Sequence, residues 1–283
     1  MEIILNKTLC NIDDEVLSSM GKTYEIQEKI GEGGNGSVYE CIDIRGNMYA
    51  IKFLVRTSKK NCLRFAQEVS LMQKINHPHI IQYIDHGMVE AIDKKGNITE
   101  MPFVIMEKAD KNLVDFIKKN GSIDYQIYAA QFRGLCEALE ELHKYAVHRD
   151  IKPENILIKG ETWVLSDFGL CKFLDTKEDK ELTRVNEKVG PAFWMSPEAI
   201  TSFYFGKDLI GTYSDVFQIC AVFLFVLTQN YPGGIISEES INTTPPIRQL
   251  LLSAMSNDFN NRPINGHELV ERYNNATYNN ILF

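Results

Sequence analysis

The six cysteines of this 283-residue chain form no C-x-x-C pair; Cys10, Cys41, Cys62, Cys136, Cys171 and Cys220 are scattered along it. That spacing speaks against a zinc knuckle and against a disulfide framework, so reduced thiols in a cytoplasmic protein are expected. Long apolar runs are missing too. The longest, residues 216–227, is interrupted by Gln218. It is too short to span a bilayer and reads as a buried helix, so no membrane span is expected. The opening Met1-Glu2-Ile3-Ile4 lacks the basic start and apolar stretch of an export signal. No basic block occurs, and the formal net charge is −8. Non-specific nucleic-acid binding needs clustered Lys and Arg, so no nucleic-acid partner is expected.

What the chain does have is an ordinary apolar share, 44%, enough to bury a full core in one large domain or a two-lobed one. Residues 1–23 carry no strong pattern and read as an extension. From residue 24 to about 53, apolar Ile26, Ile30, Val38, Tyr39, Ile42 and Ile51 alternate with polar residues between glycines, which predicts strands and turns. Over 60–75 the spacing of Leu63, Phe65, Ala66, Val69, Met72 and Ile75 turns helical, and His77-Pro78 ends it. Two further strands are expected over 80–84 and 103–106, with the polar turn 93–97 between them. After Glu107 the pattern is mainly helical. Ile127, Ala130, Leu135, Ala138, Leu139 and Leu142 suggest one apolar stripe, and further helices are expected over 216–227, 246–255 and 266–273.

Several short stretches carry chemistry. Gly31-Glu32-Gly33-Gly34-Asn35-Gly36-Ser37-Val38 is a G-x-G-x-x-G-x-V pattern, in which glycines let backbone N–H groups approach phosphate oxygens. A dinucleotide-binding turn uses similar glycines but opens a helix. Here strand-like runs flank them, which favours a hairpin lid; a plain glycine-rich hairpin is the structural alternative. Tyr49-Ala50-Ile51-Lys52 places a lysine inside an apolar strand. Burying it requires an anion, either a phosphate or a carboxylate such as Glu68, unless it snorkels from an edge. In His148-Arg149-Asp150-Ile151-Lys152-Pro153-Glu154-Asn155, Asp150 can take the proton of an attacking hydroxyl. Lys152 can neutralise charge on a transferring phosphoryl group, and Asn155 offers an oxygen to magnesium. Asp167-Phe168-Gly169 supplies another hard oxygen, and Trp194-Met195-Ser196-Pro197-Glu198 follows.

This ordered set resembles the eukaryotic-like (Hanks-type) protein kinase family over residues 24–273. The resemblance implies an α+β, two-lobed fold: a β-rich small lobe over 24–106, a hinge over 107–110 and a mainly helical lobe over 111–283. It further implies ATP and Mg2+ as cofactors and protein substrates as partners, and sets no oligomeric state. Gly31, Gly33 and Gly36 would form the lid over the phosphates. Val38 and Ala50 would contact adenine from above and Leu157 from below, with Met106 as gatekeeper and the backbone of 107–109, including Glu107 and Ala109, as hinge. Lys52 would hold the α- and β-phosphates and pair with Glu68. Asp150 would be the catalytic base, Lys152 its phosphate-binding helper, and Asn155 and Asp167 the metal ligands. Asp215 would anchor the catalytic-loop backbone, and Arg262 would pair with Glu198.

Three features depart from the family pattern. Pro191 stands where Ser/Thr kinases place a threonine, a register that tyrosine kinases fill with proline. The Lys152-Pro153-Glu154-Asn155 form of the loop nevertheless points to serine or threonine acceptors; tyrosine or dual specificity is the alternative. Glu187 occupies the usual activating-phosphate position, so partial activity without phosphorylation is expected, with Thr183 and then Thr176 as other sites. Residues 231–246 are short and polar where a further helix is common. Rival readings are a pseudokinase scaffold, which should lack Lys52, Asp150, Asn155 or Asp167; a small-molecule kinase, which should lack the Trp194–Glu198 segment and Arg262; and a thiol sensor built on Cys171. The acidic balance weakly favours basic substrates, with Glu154 as a candidate contact and a plain surface glutamate as the alternative.

Overall fold

Apolar residues alternating with polar ones build an eight-stranded antiparallel sheet in the first part of the chain, with the order β1-β2-β7-β8-β6-β5-β4-β3. Its strands are β1 (Glu2–Leu5), β2 (Thr8–Asn11), β3 (Glu15–Leu17), β4 (Thr23–Glu32), β5 (Gly36–Asp43), β6 (Met48–Leu54), β7 (Tyr83–Asp93) and β8 (Ile98–Glu107). The computed structural model describes residues 1–33, 36–121, 123–174, 193–234 and 236–278. These divide into two compact units, one of residues 1–76 and 81–109, the other of 77–80 and 110–283.

In the first unit, one face of the sheet carries the core. Tyr39, Cys41, Ile51, Phe53, Phe103 and Ile105 are buried there together with Ile3, Leu5, Cys10, Ile12 and Val16. Residues 1–23, which show no strong pattern in the sequence, thus supply three strands of this sheet. Two of its turns are built alike. Asp43 accepts at Oδ1 from the backbone N–H groups of Arg45 and Asn47, and Asp93 from those of Lys95 and Asn97. In both, the asparagine amide closes onto the same carboxylate. The side chain thereby replaces water at the turn's free donors. Helix α1 (Lys59–Lys74) buries Phe65, Glu68, Val69, Leu71 and Met72. Leu63 and Ala66, expected on its apolar stripe, are exposed, because the true stripe runs through 65, 68–69 and 72 at helical spacing.

The run 80–84 is not one strand. Ile80 forms an isolated parallel bridge with Leu165 in the second unit, and sheet pairing begins at Tyr83.

The second unit contains helices α2 (Leu113–Asn120), α3 (Tyr125–Leu142), α4 (Pro197–Phe205), α5 (Thr212–Thr228), α6 (Pro245–Ala254) and α7 (Gly266–Tyr278) among the described residues. Small sheets join β9 (Lys111–Asn112), β11 (Ile156–Lys159) and β12 (Thr162–Leu165), and separately β10 (Ala146–Val147) and β13 (Lys172–Phe173). Helix α5 is buried nearly all round, as the apolar run predicts. Helix α3 buries Tyr125, Phe132, Leu135, Ala138, Leu139 and Leu142. Ile127, expected on that face, is 70% exposed, and Ala130 is exposed as well. The inward stripe starts from Tyr125, and two residues along a helix turn the side chain about 200° away. Among the described residues, the stretch before α6, 231–244, holds a short 3-10 turn, Glu238–Ser240. Ile241 is buried there, and its carbonyl and that of Thr243 accept from the Arg248 guanidinium.

Candidate active site

The first unit contributes a charged pair on the sheet face opposite its core. Cross-strand partners share a face. Val38 pairs in register with Lys52, and Ala50 with Met106. Lys52 lies two residues beyond Ala50 and so projects from the same side. Four residues singled out in the sequence therefore share one surface. Lys52 Nζ donates to Glu68 Oε1 of α1 at 2.6 Å, with side-chain exposures of 17% and 5%. Near-complete burial of the carboxylate makes the lysine its required counter-charge. Gly36 opens β5 beside this pair. A Cβ there would sit 3.2 Å from the Phe53 carbonyl oxygen and 3.3 Å from Lys52 Cε, so the missing side chain leaves room for the lysine stem. The Gly33 N–H donates to the Gly36 carbonyl at 2.8 Å, and Gly31 pairs with Val38. Gly34 and Asn35, at the centre of the glycine-rich motif, lie outside the described residues. At the end of β8, the Glu107 N–H donates to the Gln82 carbonyl, and Glu107 and Ala109 are both half-buried.

The second unit contributes a hydrogen-bonded loop between β10 and β11. Asp215, fully buried in the first turn of α5, accepts from the backbone N–H of His148 at 2.6 Å and of Arg149 at 2.8 Å, one on each carboxylate oxygen. His143 Nε2 approaches it at 3.0 Å. Arg149 takes a left-handed φ of 71°, a strained conformation for a side chain of its size. The paired N–H bonds hold it there. Gln218, which interrupts the apolar run, accepts from the Ile151 N–H at 3.1 Å.

From this frame Asp150 projects between two partners. Lys152 Nζ donates to its Oδ2 at 2.8 Å, and Asn155 Nδ2 donates to its Oδ2 at 2.9 Å and to its backbone carbonyl at 2.8 Å. The other oxygen, Oδ1, is buried with no hydrogen-bond partner among the described residues. Leaving an acceptor bare in this way is costly, and a hydroxyl donor would relieve it. Because the Asn155 amide nitrogen is committed to Asp150, its carbonyl oxygen is the atom it can offer a cation. The Asn155 backbone carbonyl accepts from both the N–H and the hydroxyl of Ser166 at 2.9 Å. This ties the loop to Asp167, the next residue, which is exposed and left-handed at φ 63°. Phe168 is buried with its ring 5.4 Å from that of His148. Leu157 lies half-buried in β11, opposite Val164 and Asn112.

A second buried pair braces the unit. Arg262 donates to both oxygens of Glu198 at 2.9 and 3.0 Å, and the Ser214 hydroxyl donates at 2.7 Å. Burial alone would raise the Glu198 carboxyl, but the Arg262 and Ser214 hydrogen bonds outweigh it and hold the group below its ordinary value.

Asp150, Lys152 and Asn155 are thus brought together, with Asp167 next to a residue bonded to Asn155. Lys52 and Glu68 form their own pair in the first unit. Gln218, Ser166 and His143 were missed from sequence. For Gln218 a signal existed, since a polar residue inside an otherwise apolar helix needs a buried partner. The expected phosphosites Thr176 and Thr183, together with Glu187, Gly190, Pro191 and Ala192, lie outside the described residues. Among the described residues, no cluster of three or more His, Cys, Asp or Glu converges as a metal centre would, and no helix is long and apolar enough to cross a membrane.

The pattern of the protein kinase domain family matches residues 24–271. A probable serine/threonine-protein kinase of Clostridium perfringens is 27% identical over 89% of this chain and 38% of its own length. The probable serine/threonine-protein kinase PknB of Bifidobacterium longum is 29% identical over 75% of this chain and 31% of its own length. Serine/threonine-protein kinase cds1 of Schizosaccharomyces pombe is 31% identical over 77% of this chain and 47% of its own length. The chain therefore spans less than half the length of each of these relatives.

Proposed function

The chain belongs to the protein kinase domain family, and on that premise we propose that it transfers the γ-phosphoryl group of ATP to serine or threonine hydroxyls of protein substrates. The observation that carries this reading is the Asp150 carboxylate, with one oxygen held by Lys152 and Asn155 and the other buried and bare. A substrate hydroxyl donating to Oδ1 would be oriented for attack. Its oxygen bonds to the γ-phosphorus, the bond to the ADP oxygen breaks, and the proton passes to Asp150. Lys152 neutralises charge on the moving group, and Lys52, held by Glu68, neutralises the remaining phosphates. The oxygens of Asn155 and Asp167 suit a magnesium ion, which supplies charge neutralisation at the phosphates when bound. Val38, Ala50, Met106 and Leu157 supply apolar surface for adenine, with backbone groups at Glu107 and Ala109 for its polar edge. Gly31, Gly33 and Gly36 bring backbone N–H groups to the phosphates.

Serine or threonine specificity rests on Lys152 and the names of the relatives, and a cytoplasmic setting on the six free thiols. The test is incubation with ATP and magnesium, followed by mass-spectrometric mapping of modified residues on the protein and on a peptide library. Phosphoserine and phosphothreonine are expected, and Asp150→Asn should lower kcat about 10³-fold with an unchanged melting curve. Mainly phosphotyrosine would overturn the specificity, and full transfer by the Asp150 variant would overturn the mechanism.

A further inference from the structure

The two-residue turn between β1 and β2 places Asn6 (φ 49°) and Lys7 (φ 69°) in the left-handed region, the geometry of a tight hairpin turn that favours asparagine at its first position. Both flanks of this hairpin are fixed: Ile3, Leu5, Cys10 and Ile12 are buried in the first unit's core. From this anchored base, Asn6 reaches the linker between β6 and α1 with three hydrogen bonds. Its backbone N–H donates to the Val55 carbonyl at 2.8 Å. Its side-chain amide donates to Thr57 Oγ1 at 2.7 Å and accepts from the Thr57 N–H at 3.0 Å.

The linker passes this hold to the helix. Ser58 caps α1 by accepting from the Asn61 N–H at 3.3 Å, and Asn61 Nδ2 donates back to the Arg56 carbonyl at 2.9 Å. The first turn of α1 has no acidic residue and begins with Lys59 and Lys60, so its charges oppose the helix dipole. The start of α1 therefore depends on external ties. Further along the same helix, Glu68 holds Lys52.

We propose that Asn6 is a positioning residue: by clipping the 55–57 linker to the amino-terminal hairpin, it sets the start of α1 and, through Glu68, the placement of Lys52 for nucleotide phosphates. The consequence for ATP rests on the kinase reading above; the clip itself does not. Asn6→Gly separates clip from turn, because glycine adopts the left-handed backbone freely while removing both side-chain bonds. Asn6→Asp keeps the acceptor for the Thr57 N–H and lets the Thr57 hydroxyl donate instead.

The test is hydrogen–deuterium exchange of the whole chain, with steady-state kinetics in ATP. In Asn6→Gly, amides of residues 59–68 should exchange about five- to a hundredfold faster, as expected for two lost hydrogen bonds, with amides of β5 and β6 unchanged. KM for ATP should rise several-fold with kcat held within about twofold, and Asn6→Asp should restore both. Wild-type exchange in α1 of Asn6→Gly would overturn the clip. So would equal acceleration in β5 and β6, the mark of a general loss of stability. Absence of phosphoryl transfer in the wild type would remove the kinase reading, while the exchange comparison would still decide the clip.

Discussion

Lys52 meets Glu68 side chain to side chain, a strand against a helix, whereas Asp150 sits in a loop whose backbone is bonded to Asp215 at two successive N–H groups and to Gln218 at a third. The first arrangement moves if α1 moves. The second cannot move without stripping a buried carboxylate of its donors. The groups proposed to handle the proton are thus built on a multiply bonded backbone frame, and the group proposed to neutralise the nucleotide is held by the side chain of one helix. A catalytic constellation tolerates little displacement, while a charge clamp can be tightened or released without rebuilding the core.

The largest test of this contrast is Asp215→Asn. Weakening the charged acceptor of two buried N–H groups should lower unfolding stability by about 2–3 kcal/mol in chemical denaturation and reduce kcat about 10²-fold. Glu68→Gln should do less to the fold. Lys52 keeps solvent access at 17% side-chain exposure and the amide retains an oxygen acceptor, so stability should fall by less than about 1 kcal/mol while KM for ATP rises about tenfold. A loss as large as that of Asp215→Asn would erase the distinction between the two halves.

A further test is pH-dependent. Glu198 has its carboxyl held below the ordinary value of 4.5. Its charged form therefore stabilises the fold fully above that pH, and the contribution is lost as pH falls through the depressed folded value. Glu198→Gln should melt lower than wild type at pH 7, with the gap closing as pH falls below the ordinary carboxyl value of 4.5 and through the depressed folded one. A gap that widens on acidification would reverse the sign of the argument.

The Lys52–Glu68 pair was legible in sequence because a lysine in an apolar strand demands an anion, and Glu68 lies on the buried side of a recognisable helix. The Asp150 loop was legible for a similar reason: polar groups are crowded between apolar neighbours. The strands of residues 1–23 were not legible. Ile3 and Leu5 are buried and Ile4 is 63% exposed, but all three are apolar, so the period of two vanishes from the letters. The inward face of α3 was misread because Ile127 is apolar yet exposed, while Phe132, on the true stripe, was passed over. Helix α2 carries its own signals, an Asn112 cap and Gly121 at its end. Its eight residues are too few for periodicity to stand out.

Residues 77–80 leave the first unit, join the second, and the chain then returns. His79 is the core of that excursion. Its Nδ1 lies 2.8 Å from the Trp163 carbonyl, and a Cβ on Gly134 would fall 2.1 Å from its ring, so α3 lacks a side chain where the imidazole rests. Neither unit can therefore be encoded by one uninterrupted stretch of gene. A fragment starting at residue 110 would carry an empty notch at Gly134, and split-reporter or domain-exchange designs cut there would have to supply the missing tetrapeptide as a separate plug.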